Sequence, residues 1–149
     1  MSKENTMKSI TPYLTYAGAL PFVICAVCRV LASPMVPGVG PVDIVLSSYA
    51  IVILSFMAGV HWGQHLHLGD GWSRHLPVLS NLITLAGWFA FLFLGPRAVA
   101  YICAIAFAVL YVIDLGLFRA GHLSQRYIIL RRNVTGIVVA SLTLSAVFA

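Results

Sequence analysis

The sequence predicts an all-α fold, a membrane-embedded bundle of five transmembrane helices. Apolar residues make up 60% of the 149 residues, charged residues only 9%, and the mean hydropathy is +0.96. This composition lies well outside the range of soluble domains. The apolar residues fall in runs of about 20, the length of helix that crosses a hydrocarbon core of about 30 Å. Helices satisfy their own backbone hydrogen bonds, as lipid requires.

The first predicted span covers about residues 13–31 and follows a short polar tail, residues 1–12, that we expect in the cytoplasm. A signal peptide is disfavoured because the apolar run continues to Leu31 without a clear small-residue cleavage site. Arg29 can extend its charged group to the membrane interface. The proline and glycine residues of segment 33–43 then predict a loop.

The second predicted span covers about residues 44–65 and carries two polar or small-residue patterns. Small residues recur every four positions at Ser55, Gly59 and Gly63. They predict a flat ridge that another helix can approach closely. His61 and His65 share a different face, because each helical residue turns by about 100°.

Three further spans complete the predicted single membrane domain of residues 1–149. The third covers about 76–94 and the fourth about 98–118, joined by a tight Gly-Pro-Arg turn that predicts an antiparallel hairpin. The fifth covers about 129–148. It contains a second small-residue ridge for helix packing, formed by Gly136 and Ala140.

The distribution of basic residues predicts the orientation of the chain. The N-terminal side of the membrane carries seven of them: Lys3, Lys8, Arg74, Arg119, Arg126, Arg131 and Arg132. The other side carries two, Arg29 and Arg97. Because positive residues are retained inside, we expect the N-terminus in the cytoplasm and the C-terminus outside.

The second span also carries a run of residues that resembles a known family. The matching residues are Tyr49, Ala50, Ile53, Leu54, Ser55, Phe56, Gly59, Val60, His61, Trp62 and Gly63. Weaker agreement is found at Tyr16, Ala17, Gly18, Pro21, Tyr111, Asp114, Tyr127, Leu130 and Arg131. This pattern resembles the transmembrane protein 69 family, also described as domain of unknown function 3429. The resemblance implies an integral membrane protein of about five spans in bacteria or mitochondria, and it implies no activity.

A candidate polar site combines His61 with Asp114. Both residues lie near the cytoplasmic ends of their spans, because the second and fourth spans run in the same direction. Ionisable groups inside a membrane are candidates for proton or substrate handling. Residues at the same level that could complete a pocket are Tyr16 and Asn81. Alternatively, Asp114 forms a structural ion pair with Arg131 or Arg119.

Two residue patterns raise the possibility of a metal or haem, although we expect no cofactor. His61 and His65, four residues apart, could present nitrogen ligands on one helix face. Cys25, Cys28 and Cys103 lie at similar depth and could bind a soft metal such as Cu(I). Thiols buried in lipid more commonly behave as small apolar side chains.

The basic residues around the end of the fourth span suggest a lipid partner. Arg119, Arg126, Arg131 and Arg132 could attract anionic headgroups, at about 1 kcal/mol for each residue near the surface. The same charges also serve to fix the topology. Nucleic acid is not expected, although the net charge is +5, because the basic residues do not form a stripe with aromatic residues. Trp62 and Trp72 are expected to anchor the same interface.

No catalytic motif is found in the sequence, so an enzyme is disfavoured. The four acidic residues lie far apart, and neither a nucleophile elbow nor a phosphate-binding glycine loop is present. The leading hypothesis is a non-enzymatic accessory or assembly component that binds a membrane-protein partner or a second copy of itself. The alternatives are a small-solute or proton-coupled transporter with a site at His61 and Asp114, and a haem- or copper-binding membrane protein.

Overall fold

The computed structural model of the chain describes residues 3–68, 71 and 75–149, with side chains described from residue 10 onward. Within these residues, five helices are long and apolar enough to cross a membrane, which confirms the predicted fold class. The helices are α1 (Lys3–Val30), α2 (Val42–His65), α3 (His75–Phe93), α4 (Pro96–Arg119) and α5 (Gln125–Val147).

Two helices begin well before the predicted spans. The first helix starts at Lys3, so residues 3–12 of the predicted tail are helical, and its apolar membrane-spanning part is Ile10–Val30. The fifth starts at Gln125, where the hydroxyl of Ser124 accepts a hydrogen bond from a backbone N–H of the first turn. Hydropathy indicates where a helix meets lipid, whereas capping residues determine where it begins.

The predicted loop between the first two helices contains a small β-hairpin. Strand β1 (Met35–Val36) pairs antiparallel with β2 (Gly40–Pro41). Gly38, at the turn, has a φ of 73°, a left-handed conformation that glycine adopts without steric cost. The side chain of Val36 is buried among core residues, so the hairpin packs against the helices.

The helices α2 and α4 occupy the centre of the bundle. Each contacts the other, and α2 also contacts α1 and α3 while α4 contacts α3 and α5. Phe22 on α1 packs against Phe107 on α4, with 5.8 Å between the ring centroids. Half of the α4 span is buried, the largest share of the described helices. A polar side chain on the inner face of α4 is therefore enclosed by neighbouring helices.

The small-residue ridges predicted for helix packing do not pack within the chain. Ser55, Gly59 and Gly63 are exposed, as are Gly136 and Ala140. Among the described residues, no heavy atom lies within 4 Å of a Cβ built on either α2 glycine or on the α5 glycine. A period of four residues identifies a helix face without specifying which neighbour it meets, so packing of these ridges against a helix of another chain stays a prediction. The buried face of α2 is instead formed by Val42, Leu46, Ser47, Ala50, Leu54, Ala58 and His61.

Helices α2 and α3 approach each other closely at Gly87 on α3. A Cβ built there would lie 2.8 Å from Leu54 Cδ2 and 3.3 Å from Ile51 Cδ1, both on α2. The absence of a side chain at this position thus lets the two helices interlock.

We expect Gly87→Val to destabilise the bundle by about 1–3 kcal/mol, the usual cost of overpacking a filled core. The matched control is Gly59→Val, because that glycine faces open space among the described residues. Reversible unfolding in mixed micelles, followed by tryptophan fluorescence, measures both variants. Equal stability of the two variants would contradict the proposed helix interlock.

Candidate functional site

Three ionisable residues from three helices meet at one end of the bundle. His61 lies one turn before the end of α2, and Asp114 lies five residues before the end of α4. Arg131 lies in the second turn of α5. A short turn at Gly121, with a φ of 83°, reverses the chain between α4 and α5 and brings their two charged residues to the same level.

The three side chains form a continuous buried ion cluster, defined here as His61, Asp114 and Arg131. His61 Nε2 lies 2.7 Å from Asp114 Oδ1, and Arg131 Nε donates a hydrogen bond of 2.6 Å to Asp114 Oδ2. The exposed fractions of the side chains are 1%, 0% and 5%, respectively. Both carboxylate oxygens are therefore bonded to nitrogen atoms out of reach of bulk water.

The chemistry of these groups assigns the hydrogen atoms of the cluster. Arginine remains charged in proteins, and an ionised carboxylate only accepts hydrogen bonds. His61 therefore carries a hydrogen on Nε2, which donates to Asp114. With a neutral imidazole the cluster has no net charge, whereas a protonated His61 gives it a charge of +1.

Polar atoms at the margin of the cluster have weaker partners or none among the described residues. Arg131 Nη1 donates to the Sδ atom of Met57 at 3.6 Å. The buried atoms Arg131 Nη2 and His61 Nδ1 have no hydrogen-bond partner within the described part of the chain. The cluster is therefore completely paired around the carboxylate and incompletely paired at its outer nitrogen atoms.

The structure combines the two arrangements that the sequence left as alternatives. Asp114 contacts His61, as the hypothesis of a polar pocket required. It also contacts Arg131, as the alternative hypothesis of a structural ion pair required. The other proposed partner, Arg119, is exposed at the end of α4. A single carboxylate therefore joins α2, α4 and α5.

Two predicted pocket residues lie outside the cluster. The hydroxyl of Tyr16 accepts a hydrogen bond of 3.3 Å from Asn133, and Asn81 accepts one of 3.3 Å from the indole of Trp62. Both contacts lie on the exposed surface of the bundle. These residues were predicted from depth in the membrane, and depth does not determine the direction in which a side chain points.

Sequence reasoning missed two residues next to the cluster. Met57 is one apolar residue among many in α2, and its only sequence signal is its position four residues before His61 on the same helix. Tyr127 is close enough to interact electrostatically with Asp114 and Arg131. Helical spacing does contain a signal for Tyr127, because it precedes Arg131 by four residues and shares its face once α5 is known to begin at Gln125.

The hypothesised metal ligands are not brought together. Cys25, Cys28 and Cys103 are buried and free of disulfide bonds. The Nδ1 atom of His65 is hydrogen-bonded to the backbone oxygen of Trp62. Across the described ranges, no group of three or more His, Cys, Asp or Glu side chains has an arrangement that could hold a metal ion.

The proposed lipid-binding arginines separate into two classes. Arg119, Arg126 and Arg132 are exposed and can reach headgroups, but Arg131 belongs to the buried ion cluster. Three of the four residues lie on α5 and only Arg119 lies at the end of α4. Arg74 and the predicted anchor Trp72 lie outside the described residues, whereas the other anchor, Trp62, is exposed.

These features define a multi-pass helical membrane protein with an ion cluster inside its bundle. Residues 7–147 match the protein family described as "Protein of unknown function (DUF3429)", and the chain belongs to this family. No curated protein and no solved structure matches the chain.

We expect Asp114→Leu and Arg131→Met each to destabilise the bundle by about 3–5 kcal/mol, because each leaves a buried charge without its partner. The double variant removes both charges, so its loss should fall well short of the sum of the single losses. Equilibrium unfolding in mixed micelles measures this double-mutant cycle.

The control for this cycle is Asp43→Leu, which removes the partner of Arg29. The Asp43 side chain is 43% exposed, so its loss should cost less than about 1 kcal/mol. Additive losses at Asp114 and Arg131 would contradict a shared buried cluster.

Proposed function

We propose that this protein is a non-enzymatic integral membrane component that acts as an accessory or assembly partner of a larger membrane system. The observation that carries this proposal is the enclosure of the ion cluster. Its three side chains are at most 5% exposed, and they use both oxygens of Asp114 in contacts with one another. Such an arrangement is suited to joining helices.

The same enclosure argues against catalysis at this site. A general acid or base must come within hydrogen-bond distance of the substrate atom that it protonates or deprotonates. The carboxylate of Asp114 has no free oxygen, and the guanidinium of Arg131 lies between α4, α5 and Met57. The outer surfaces of the helices remain available to contact other membrane proteins.

A second candidate function is proton-coupled transport of a small solute. It is favoured by one specific observation, the contact between the His61 imidazole and the Asp114 carboxylate inside the bundle. Intramembrane ionisable residues commonly mark proton or ion pathways.

We further propose a location in the bacterial inner membrane, with the N-terminus in the cytoplasm. Support comes from the excess of basic residues on the N-terminal side of the membrane. The narrower assignment to the transmembrane protein 69 group is also a proposal, supported by residues 49–63 of α2.

The accessory function predicts that a single membrane protein co-purifies with this chain at a fixed ratio from native membranes. Asp114→Leu/Arg131→Met is the informative variant, since it removes the buried charges while leaving the helices paired. An accessory protein should retain its partner in this folded variant, whereas a proton-coupled carrier should lose proton-dependent uptake in vesicles. Absence of any stoichiometric partner would contradict the accessory function.

The proposed orientation predicts opposite locations for the two termini. Reporter fusions that are active only in the cytoplasm should function at the N-terminus, and reporters active only outside should function at the C-terminus. Labelling of both termini from the same side would contradict five membrane crossings.

A further inference from the structure

Two buried polar atoms on neighbouring helices have no hydrogen-bond partner among the described residues. They are Nδ1 of His61 on α2 and the hydroxyl oxygen of Ser80 on α3. His61 is 0% exposed and Ser80 is 1% exposed, so lipid and bulk water are excluded from both. Buried polar groups are nearly always hydrogen-bonded in native proteins, because an unpaired group loses its hydration without compensation.

The register of α2 and α3 places these two residues at the same level. Leu54 on α2 contacts the backbone position of Gly87 on α3. Moving seven residues forward from Leu54 reaches His61, and moving seven residues back from Gly87 reaches Ser80. In antiparallel helices these two steps lead in the same direction, and each covers about 10 Å.

The same step of seven residues also preserves the helix face. Seven residues correspond to nearly two complete turns, so His61 shares the face of Leu54 and Ser80 shares the face of Gly87. The side-chain contact between Trp62 and Asn81 agrees with this register to within two residues, about 3 Å along the helix axis, which a long indole side chain spans. His61 and Ser80 therefore lie on the facing sides of α2 and α3 at one level.

Neither atom is hydrogen-bonded in the described structure, and we propose that rotation of the Ser80 hydroxyl about its Cα–Cβ bond, or one bridging water molecule, makes Ser80 the second hydrogen-bond partner of His61 Nδ1. The chemistry is complementary, because Nε2 carries the hydrogen that faces Asp114 and Nδ1 is then a hydrogen-bond acceptor. A serine hydroxyl supplies the donor. Ser80 is thus a positioning residue that fixes the tautomer and orientation of His61.

This contact extends the buried ion cluster to a fourth helix and supports both protonation states of His61. A hydroxyl donates to a neutral Nδ1 and accepts from a protonated one, so neither state leaves the nitrogen atom unpaired. Among the described residues, the charged group that contacts His61 is Asp114 on α4; Arg131 on α5 binds the other oxygen of Asp114, and His65 lies one turn further along α2. The inference depends on this geometry and on neither proposed function.

Nitrogen-15 NMR of the full chain in lipid nanodiscs, with labelled histidine, tests the proposal. In the wild type, neutral His61 should show a protonated Nε2 and a hydrogen-bonded, unprotonated Nδ1. In Ser80→Ala the Nδ1 resonance should move toward that of an unbonded nitrogen, and Ser80→Thr should restore it because the hydroxyl is retained.

The matched control is Ser145→Ala. Like Ser80, Ser145 is 1% exposed, and its hydroxyl has no hydrogen-bond partner in the described structure. It lies near the C-terminal end of α5, whereas the ion cluster lies near the N-terminal end of that helix. This variant should leave the His61 resonances unchanged. A wild-type His61 with its hydrogen on Nδ1, or an Nδ1 resonance that is the same in Ser80→Ala and wild type, would overturn the proposal.

Discussion

A buried carboxylate in a lipid-embedded bundle requires compensation, and this requirement organises the structure. Transferring the ionised side chain of Asp114 from water to the interior of the helix bundle would be strongly unfavourable without charged partners. Arg131 supplies the opposite charge, and His61 supplies a second donor. Since the three residues come from α2, α4 and α5, satisfying one side chain constrains three helices at once. The apolar contacts elsewhere are less directional and provide tight packing.

Hydropathy predicted the number and approximate bounds of the helices because crossing lipid requires long apolar segments. It could not predict that α1 begins at Lys3, since a polar helical extension leaves no hydropathy signal. The predicted ridge at Gly59 does not pack within the chain, because small residues are compatible with either a packed or an exposed face. The close contact at Gly87 depends on α2 side chains that no pattern within α3 reveals.

The candidate site was predictable in part for the same physical reason. Charged residues are so costly inside lipid that Asp114 and His61 stand out in the sequence, and their similar depth indicated a contact. The further partner Arg131 was predicted only as an alternative to His61 and alongside Arg119, because the side-chain directions that let one carboxylate bind two partners depend on how α2, α4 and α5 pack. Ser80 carried no signal, since a single serine in an apolar helix commonly bonds its own backbone.

The pairing of Asp114 with Arg131 also bears on how the chain enters the bilayer during synthesis. Among the described helices α5 is the least apolar, and it begins with several arginines. A translocon would insert this helix poorly in isolation. The short turn at Gly121 lets α4 present its carboxylate to Arg131 as soon as both helices have emerged. The two helices are therefore suited to partition into lipid together, as a helical hairpin whose buried charges neutralise each other.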